Sequence, residues 1–119
     1  MVSYTIDSVK QIVFTHVEGV LDNQQLHEHQ DKLGEDPEFH PDMRELMDCR
    51  DLINVRVREI NYSQLAASSP WGSQAQRAIV VSTVLGFGLL NIFQAVMGSE
   101  HGKLSIFRDI DSAKEWLGL

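Results

Sequence analysis

A single cysteine, Cys49, leaves this chain without an intramolecular disulfide and without the thiolate set of a structural zinc site. Basic residues are scarce as well. Lys and Arg number 10 against 17 Asp and Glu, for a formal net charge of −7. Nucleic-acid binding, which needs a basic face for the phosphates, is therefore not expected, and an anionic membrane surface gains no attraction. Proline and glycine, at 3 and 8, are too few for a low-complexity chain, and no repeat or linker interrupts the sequence.

Catalytic and metal signatures are also missing. His27 and His29 stand two apart on an expected helix and point to nearly opposite sides, while His16, His40 and His101 fall in separate segments. No HExxH spacing occurs, and no Gly-x-Ser-x-Gly elbow accompanies the serines. Cys49 is flanked by Asp48 and Asp51, whose charges suppress a thiolate, so a small half-buried residue at a strand end is expected rather than a nucleophile. Neither metal nor cofactor is expected, and the chain is read as not an enzyme.

What remains suits one globular domain over residues 1–119. Its 43% hydrophobic content allows a core without staples, since a chain of this size buries roughly two-thirds of its unfolded surface. Residues 1–7 have no basic n-region and no long apolar run, so no signal peptide is expected there and the cytoplasm is the expected compartment. One tract, 78–97, carries no charge and would be flagged by a hydropathy scan. It reads better as two elements than as a membrane span. Ala78, Ile79, Val80 and Val81 suit a buried strand, and 89–97 suits a helix with Asn91 and Gln94 on one face.

The remaining pattern is regular. Val2, Tyr4 and Ile6 alternate with polar residues, as do Ile12 and Phe14, with a hairpin connection at 7–10. Asp22 followed by Gln25 resembles a capping box, opening a helix through Leu26 and Leu33 with Gly34 as its stop. A short strand is expected at 45–49, with Asp48, Arg50 and Asp51 at its carboxyl end. Residues 52–60 fit an edge strand or an irregular connection. Asn61 or Ser63 caps a short helix at 65–67, 104–108 gives another strand, and Asp109 or Asp111 opens a last helix with Ile110, Ala113, Trp116 and Leu117 on one face. The order ββαβαβαβα predicts an α/β fold: a mixed, mostly parallel sheet with an antiparallel hairpin at the start, flanked by helices.

Several short segments carry a family resemblance. They are Tyr4-Thr5-Ile6-Asp7, Gly19 closing the second strand, Asp36-Pro37-Glu38-Phe39, Leu46-Met47-Asp48-Cys49-Arg50-Asp51, Ala78-Ile79-Val80-Val81-Ser82 with Gly86-Phe87-Gly88, and Phe107-Arg108-Asp109 running into Ala113 and Trp116-Leu117. In this order the chain resembles the SpoIIAA-like proteins of the STAS group over nearly its whole length. The resemblance implies a single STAS-like domain without catalytic machinery. Some members act as phosphorylation-switched protein partners, and others are compared with CRAL-TRIO-like lipid-binding domains. The phosphorylated serine of anti-sigma factor antagonists falls where this chain reads Asp48-Cys49-Arg50-Asp51, with no serine, so that switch is not carried over.

Three groups are candidate binding residues. Asp48, Arg50 and Asp51 lie where ligands of open α/β sheets bind, although pairing of Arg50 with a neighbouring carboxylate explains them without a ligand. Ser82, Thr83, Gly86 and Gly88 would present backbone N–H groups at a helix N-terminus, although close helix–sheet packing explains the glycines equally well. The helix 89–97 is apolar around most of its circumference, so Leu90, Phe93 and Met97 are candidates for covering by a partner, a ligand or a second copy in a homodimer. Two functions follow. One is a regulatory or protein-interaction module; the other is a small apolar ligand or lipid-binding domain, which requires an apolar pocket of several hundred cubic ångströms.

Overall fold

The computed structural model of this protein describes residues 1–82 and 101–119. The chain opens with a hairpin of β1 (Val2–Asp7) and β2 (Ile12–Leu21), paired antiparallel from Val2 opposite Val17 to Asp7 opposite Ile12. Its turn forms because Asp7 Oδ1 accepts from the backbone N–H groups of Val9 at 3.1 Å and Lys10 at 2.9 Å. Helix α1 (Asn23–Glu35) follows, and the Asp22 carboxylate accepts the Gln25 N–H at 2.9 Å as the capping pattern requires. Gly34 does not stop this helix. One more residue is helical, and Asp36 closes it with its N–H on the Leu33 carbonyl.

Strand β3 (Arg44–Val55) is more than twice the expected length. Residues 52–55 belong to it, and a 3-10 turn, Val57–Glu59, replaces the edge strand considered for 52–60. The partner explains the difference. β2 has 10 residues and holds β3 in parallel pairing as far as Leu21 opposite Val55. Two bulges lie within this stretch. His16 faces Asp48 but Glu18 faces Asp51, and Gly19 faces Leu52 but Val20 faces Asn54. Each adds a residue to β3 and breaks the inside–outside alternation by which a strand is read. Gly19 sits inside β2 at the second bulge, with φ of 74°, and does not end the strand.

Helix α2 (Tyr62–Ala67) is capped by Asn61, whose side chain accepts from the Gln64 N–H. Strands β4 (Gln76–Val80) and β5 (Lys103–Phe107) complete a five-stranded sheet in the order β1-β2-β3-β4-β5, parallel throughout except for the hairpin. Helix α3 (Ile110–Leu117) is capped by Asp109 through the Ser112 N–H. The expected α/β architecture holds.

The sheet has two apolar faces. Ile12, Leu46, Ala78 and Val80 pack against Ala113 and Leu117 of α3. On the other face, Val17, Cys49 and Ile79 pack with Leu65 of α2, and Val13 packs with Leu33 of α1 and Trp71. The uncharged tract thus contributes an interior strand. Among the described residues no helix is long and apolar enough to cross a membrane. The helix expected at 89–97 lies outside the described residues.

Candidate functional site

Asp48, Arg50 and Asp51 sit in the middle of β3, not at its carboxyl end. They do lie at the end of β4, because the β3–β4 pairing stops at Asp48 opposite Val80. From there β3 continues with β2 alone, and the first bulge turns both Arg50 and Asp51 toward solvent. Asp48 grips Arg50 at three points: its carboxylate accepts the Arg50 backbone N–H at 3.1 Å, Nε–H at 2.9 Å and an Nη2 proton at 2.8 Å. These bonds hold the Asp48 carboxyl below the usual carboxylate range, against the opposing effect of burial. Ser82 extends the group by donating its hydroxyl to the Arg50 carbonyl at 3.0 Å.

His16 joins the cluster from β2. Its Nε2 lies 3.3 Å from Asp51 Oδ2 and 3.8 Å from Glu18 Oε2. Beside it, Phe14, His16, Asp48 and Ile110 border an open cleft of about 330 Å³ on the α3 side of the sheet. Asp48, Arg50, Asp51 and Ser82 are therefore brought together, with His16 as an addition. Thr83, Gly86, Gly88, Leu90, Phe93 and Met97 lie outside the described residues.

A second constellation lies beneath α1 on the opposite face. Glu45 is fully buried, and it accepts the Thr15 hydroxyl at 2.8 Å on Oε2 and the Arg77 Nε–H at 3.0 Å on Oε1. Arg77 in turn stacks over Trp71, with its guanidinium carbon 4.8 Å from the ring centroid. Parallel register builds this ladder, since Glu45 pairs with Val13 and Arg77, and alternation turns Thr15, Glu45 and Arg77 inward beside Val13, Val17 and Ile79.

His29 of α1 descends into the same region and packs edge-on against Tyr4 at 5.6 Å between ring centroids. It is 8% exposed. Burial lowers its pKa; Glu45 opposes that shift, and Arg77 and Lys32 reinforce it. Its Nε2 and the Oε1 of Gln30 are buried without a hydrogen-bond partner among the described residues. Both residues border an internal cavity of about 50 Å³, whose walls are otherwise mostly apolar, with Leu26, Met47, Val55 and Ile60 among them.

Cys49 also borders this cavity. It is buried within β3 rather than half-buried at a strand end, and its thiol is pushed up by burial first and by the charges of Glu45 and Asp48 second. Among the described residues no group of three or more His, Cys, Asp and Glu could hold a metal ion.

Thr15, Glu45, Arg77 and His29 were not among the sequence candidates. The available signal was a pair of opposite charges inside apolar strands, Glu45 beside Leu46 and Arg77 beside Ala78. Reading it requires the β3–β4 register, which the sequence alone does not supply.

No protein-family model matches the chain, and no curated protein matches it. A solved structure does: an uncharacterised DUF3478-family protein with a SpoIIAA-like fold from Shewanella loihica PV-4. The match spans 98% of this chain and 93% of that one, with a TM-score of 0.65 at 16% identity. At that identity the likeness speaks for architecture alone, and it agrees with the strand order and the two helical layers: this chain has a SpoIIAA-like fold, that of a STAS-like α/β domain.

Proposed function

We propose that the chain is a non-catalytic regulatory or protein-interaction module that docks a partner on the patch formed by Asp48, Arg50, Asp51 and His16. The observation that carries this reading is the clamp of Asp48 on Arg50 at the open end of β4, which fixes a charged surface toward solvent beside a shallow cleft. A rigid polar surface loses little side-chain entropy on association. Asp48, Asp51 and Glu18 outnumber Arg50 there, and the whole chain carries −7, so the complementary partner presents a basic face. The phosphoserine switch is not carried over in this reading, since the segment Asp48-Cys49-Arg50-Asp51 has no serine.

The apolar-ligand reading draws on the cavity beneath α1. A volume of about 50 Å³ falls far below the several hundred that a drug-sized ligand or lipid chain occupies, so that reading ranks second.

Native mass spectrometry of freshly purified protein, followed by affinity capture from its source cells, separates the two. The interaction reading expects a ligand-free mass and a defined protein that is captured by the native chain, released by raised salt and lost in Asp51→Lys. A stoichiometric apolar compound in the native spectrum, with no protein lost in the variant, would overturn it. The same spectrum shows whether the chain self-associates as a homodimer.

A further inference from the structure

We infer that the open edge of β1 is the seam of a homodimer: it pairs antiparallel with β1 of a second copy about a two-fold axis at Tyr4, and the two sheets become one. This does not rest on the docking patch, since Arg50 and Asp51 belong to β3, on the other side of β2 from this edge.

The backbone pattern comes first. β1 is an edge strand, bonded to β2 alone. Met1 and Glu18 exchange both backbone bonds, at 2.8 and 3.0 Å. Bonded pairs recur at every second residue of an antiparallel ladder, so Ser3, Thr5 and Asp7 turn their N–H and C=O groups toward β2. Val2, Tyr4 and Ile6 turn theirs outward, and nothing among the described residues bonds to them there. A row of donors and acceptors at this spacing is complementary to another extended backbone. The edge also lacks the usual protection against pairing. Val2–Ile6 holds no proline and no charged side chain, and its register with β2 is unbroken by a bulge.

Charge and symmetry select the occupant. Two copies that each carry −7 repel unless they meet along a neutral stretch, and Val2–Ile6 is one. The stretch is also self-complementary. With Tyr4 opposite Tyr4 of the second copy, Val2 lies opposite Ile6 of the second copy, and these pairs exchange the outward bonds. Ser3 then lies opposite Thr5 of the second copy, a hydroxyl pair of the kind that stabilises sheets. Both faces leave room for the added strand. A groove of about 430 Å³ borders Val2 and Tyr4 beside α1, and the cleft of about 330 Å³ borders Ser3 and Thr5 on the α3 side.

The test combines sedimentation equilibrium of the full chain with register-specific crosslinking. The native chain should sediment as a dimer that dissociates on dilution. Val2→Pro removes one outward N–H at the start of the strand and leaves the bonds to β2 in place, so it should raise the dimer dissociation constant about tenfold or more. For crosslinking, Ser3→Cys and Thr5→Cys are made as separate proteins and oxidised with glutathione disulfide. Their mixture should give a disulfide-linked dimer, because the two positions face one another at a Cα separation of about 4.5 Å. Neither protein alone should do so, since like positions are offset to about 7–8 Å. Cys49 is buried and does not compete. A monomer at every concentration with no crosslink in the mixture overturns the inference. So does crosslinking of either protein alone to the same extent as the mixture, or a dimer that Val2→Pro leaves unchanged. Should Val2→Pro not fold, the comparison of mixed and separate cysteine variants decides the matter.

Discussion

Arg77 donates its Nε–H to Glu45 Oε1 at 3.0 Å inside the sheet, where the two side chains are 7% and 0% exposed. Each charge is tolerable only because of the other. Glu45→Ala strands a buried guanidinium and is expected to destabilise the fold by about 3–5 kcal/mol. The triple variant Thr15→Val, Glu45→Met, Arg77→Met removes the hydroxyl, the carboxylate and the guanidinium together, and should recover most of that loss. Urea unfolding of both variants checks this. A triple variant no more stable than Glu45→Ala would show that the ladder contributes stability of its own, beyond mutual neutralisation.

His29 gives this packing a pH dependence with a definite sign. Its folded pKa is lowered, chiefly by burial, so the unfolded chain binds the proton more readily. Stability from this residue is fully present above the unfolded value of about 6.5 and is lost as pH falls from there toward the lower folded value. Tyr4, Lys32, Glu45 and Arg77 are the titratable and charged groups around the ring. The urea midpoint should therefore fall between pH 7 and pH 5 (roughly the histidine window), and His29→Gln should flatten that slope. An unchanged slope in the variant would assign the effect to other groups.

The fold was legible where local chemistry decides it. Asp22, Asn61 and Asp109 each mark a helix start by accepting an N–H three residues on, and each does so from its own side chain. Alternation in β1 and early β2 likewise placed the hairpin. Legibility failed at β3, because its bulges at Arg50 and Ile53 shift the inward face, first leaving Leu52 buried out of phase with Glu45 and Met47 and then returning the phase at Val55. The candidate site divided along the same line. Asp48, Arg50 and Asp51 are near neighbours in sequence, so their grouping needs no knowledge of the sheet. His16 reaches them through β2 pairing, and the Thr15–Glu45–Arg77 ladder through register across three strands, so both required the sheet.

Gly102 is a second place where tertiary packing dictates the residue. Its φ is 93°, and a Cβ built there would lie 2.3 Å from the Ala75 carbonyl oxygen, the acceptor of the Lys103 N–H that starts β5. The obstacle is backbone, which cannot rotate aside. Gly102→Ala should cost about 2 kcal/mol or more, through strain at positive φ together with displacement of that bond. Gly19→Ala is the control. It shares positive φ, at 74°, but meets nothing within 4 Å, and should cost about 1 kcal/mol. Thermal unfolding of the two variants checks the difference, and equal losses would remove the role assigned to the Ala75 contact.

Both tyrosines of the chain should ionise late. Tyr4 donates its hydroxyl to Asp36 Oδ2 at 2.8 Å where α1 ends, and burial, that bond and the Asp36 charge push its pKa up to about 12. Burial also raises Tyr62 on α2. Each phenol is thus held protonated by the helix layer above the cavity face, and a spectrophotometric titration should show a midpoint above the ordinary value of about 10 for both. Asp36→Asn keeps a hydrogen-bond acceptor but removes the charge, so it should bring the later ionisation partway down while leaving the Tyr62 step in place. Two phenols titrating near 10 in the native protein would mean that neither the Tyr4–Asp36 bond nor the packing around α2 persists in solution. The cavity wall that depends on Tyr62, Leu26 and His29 would then have to be redrawn.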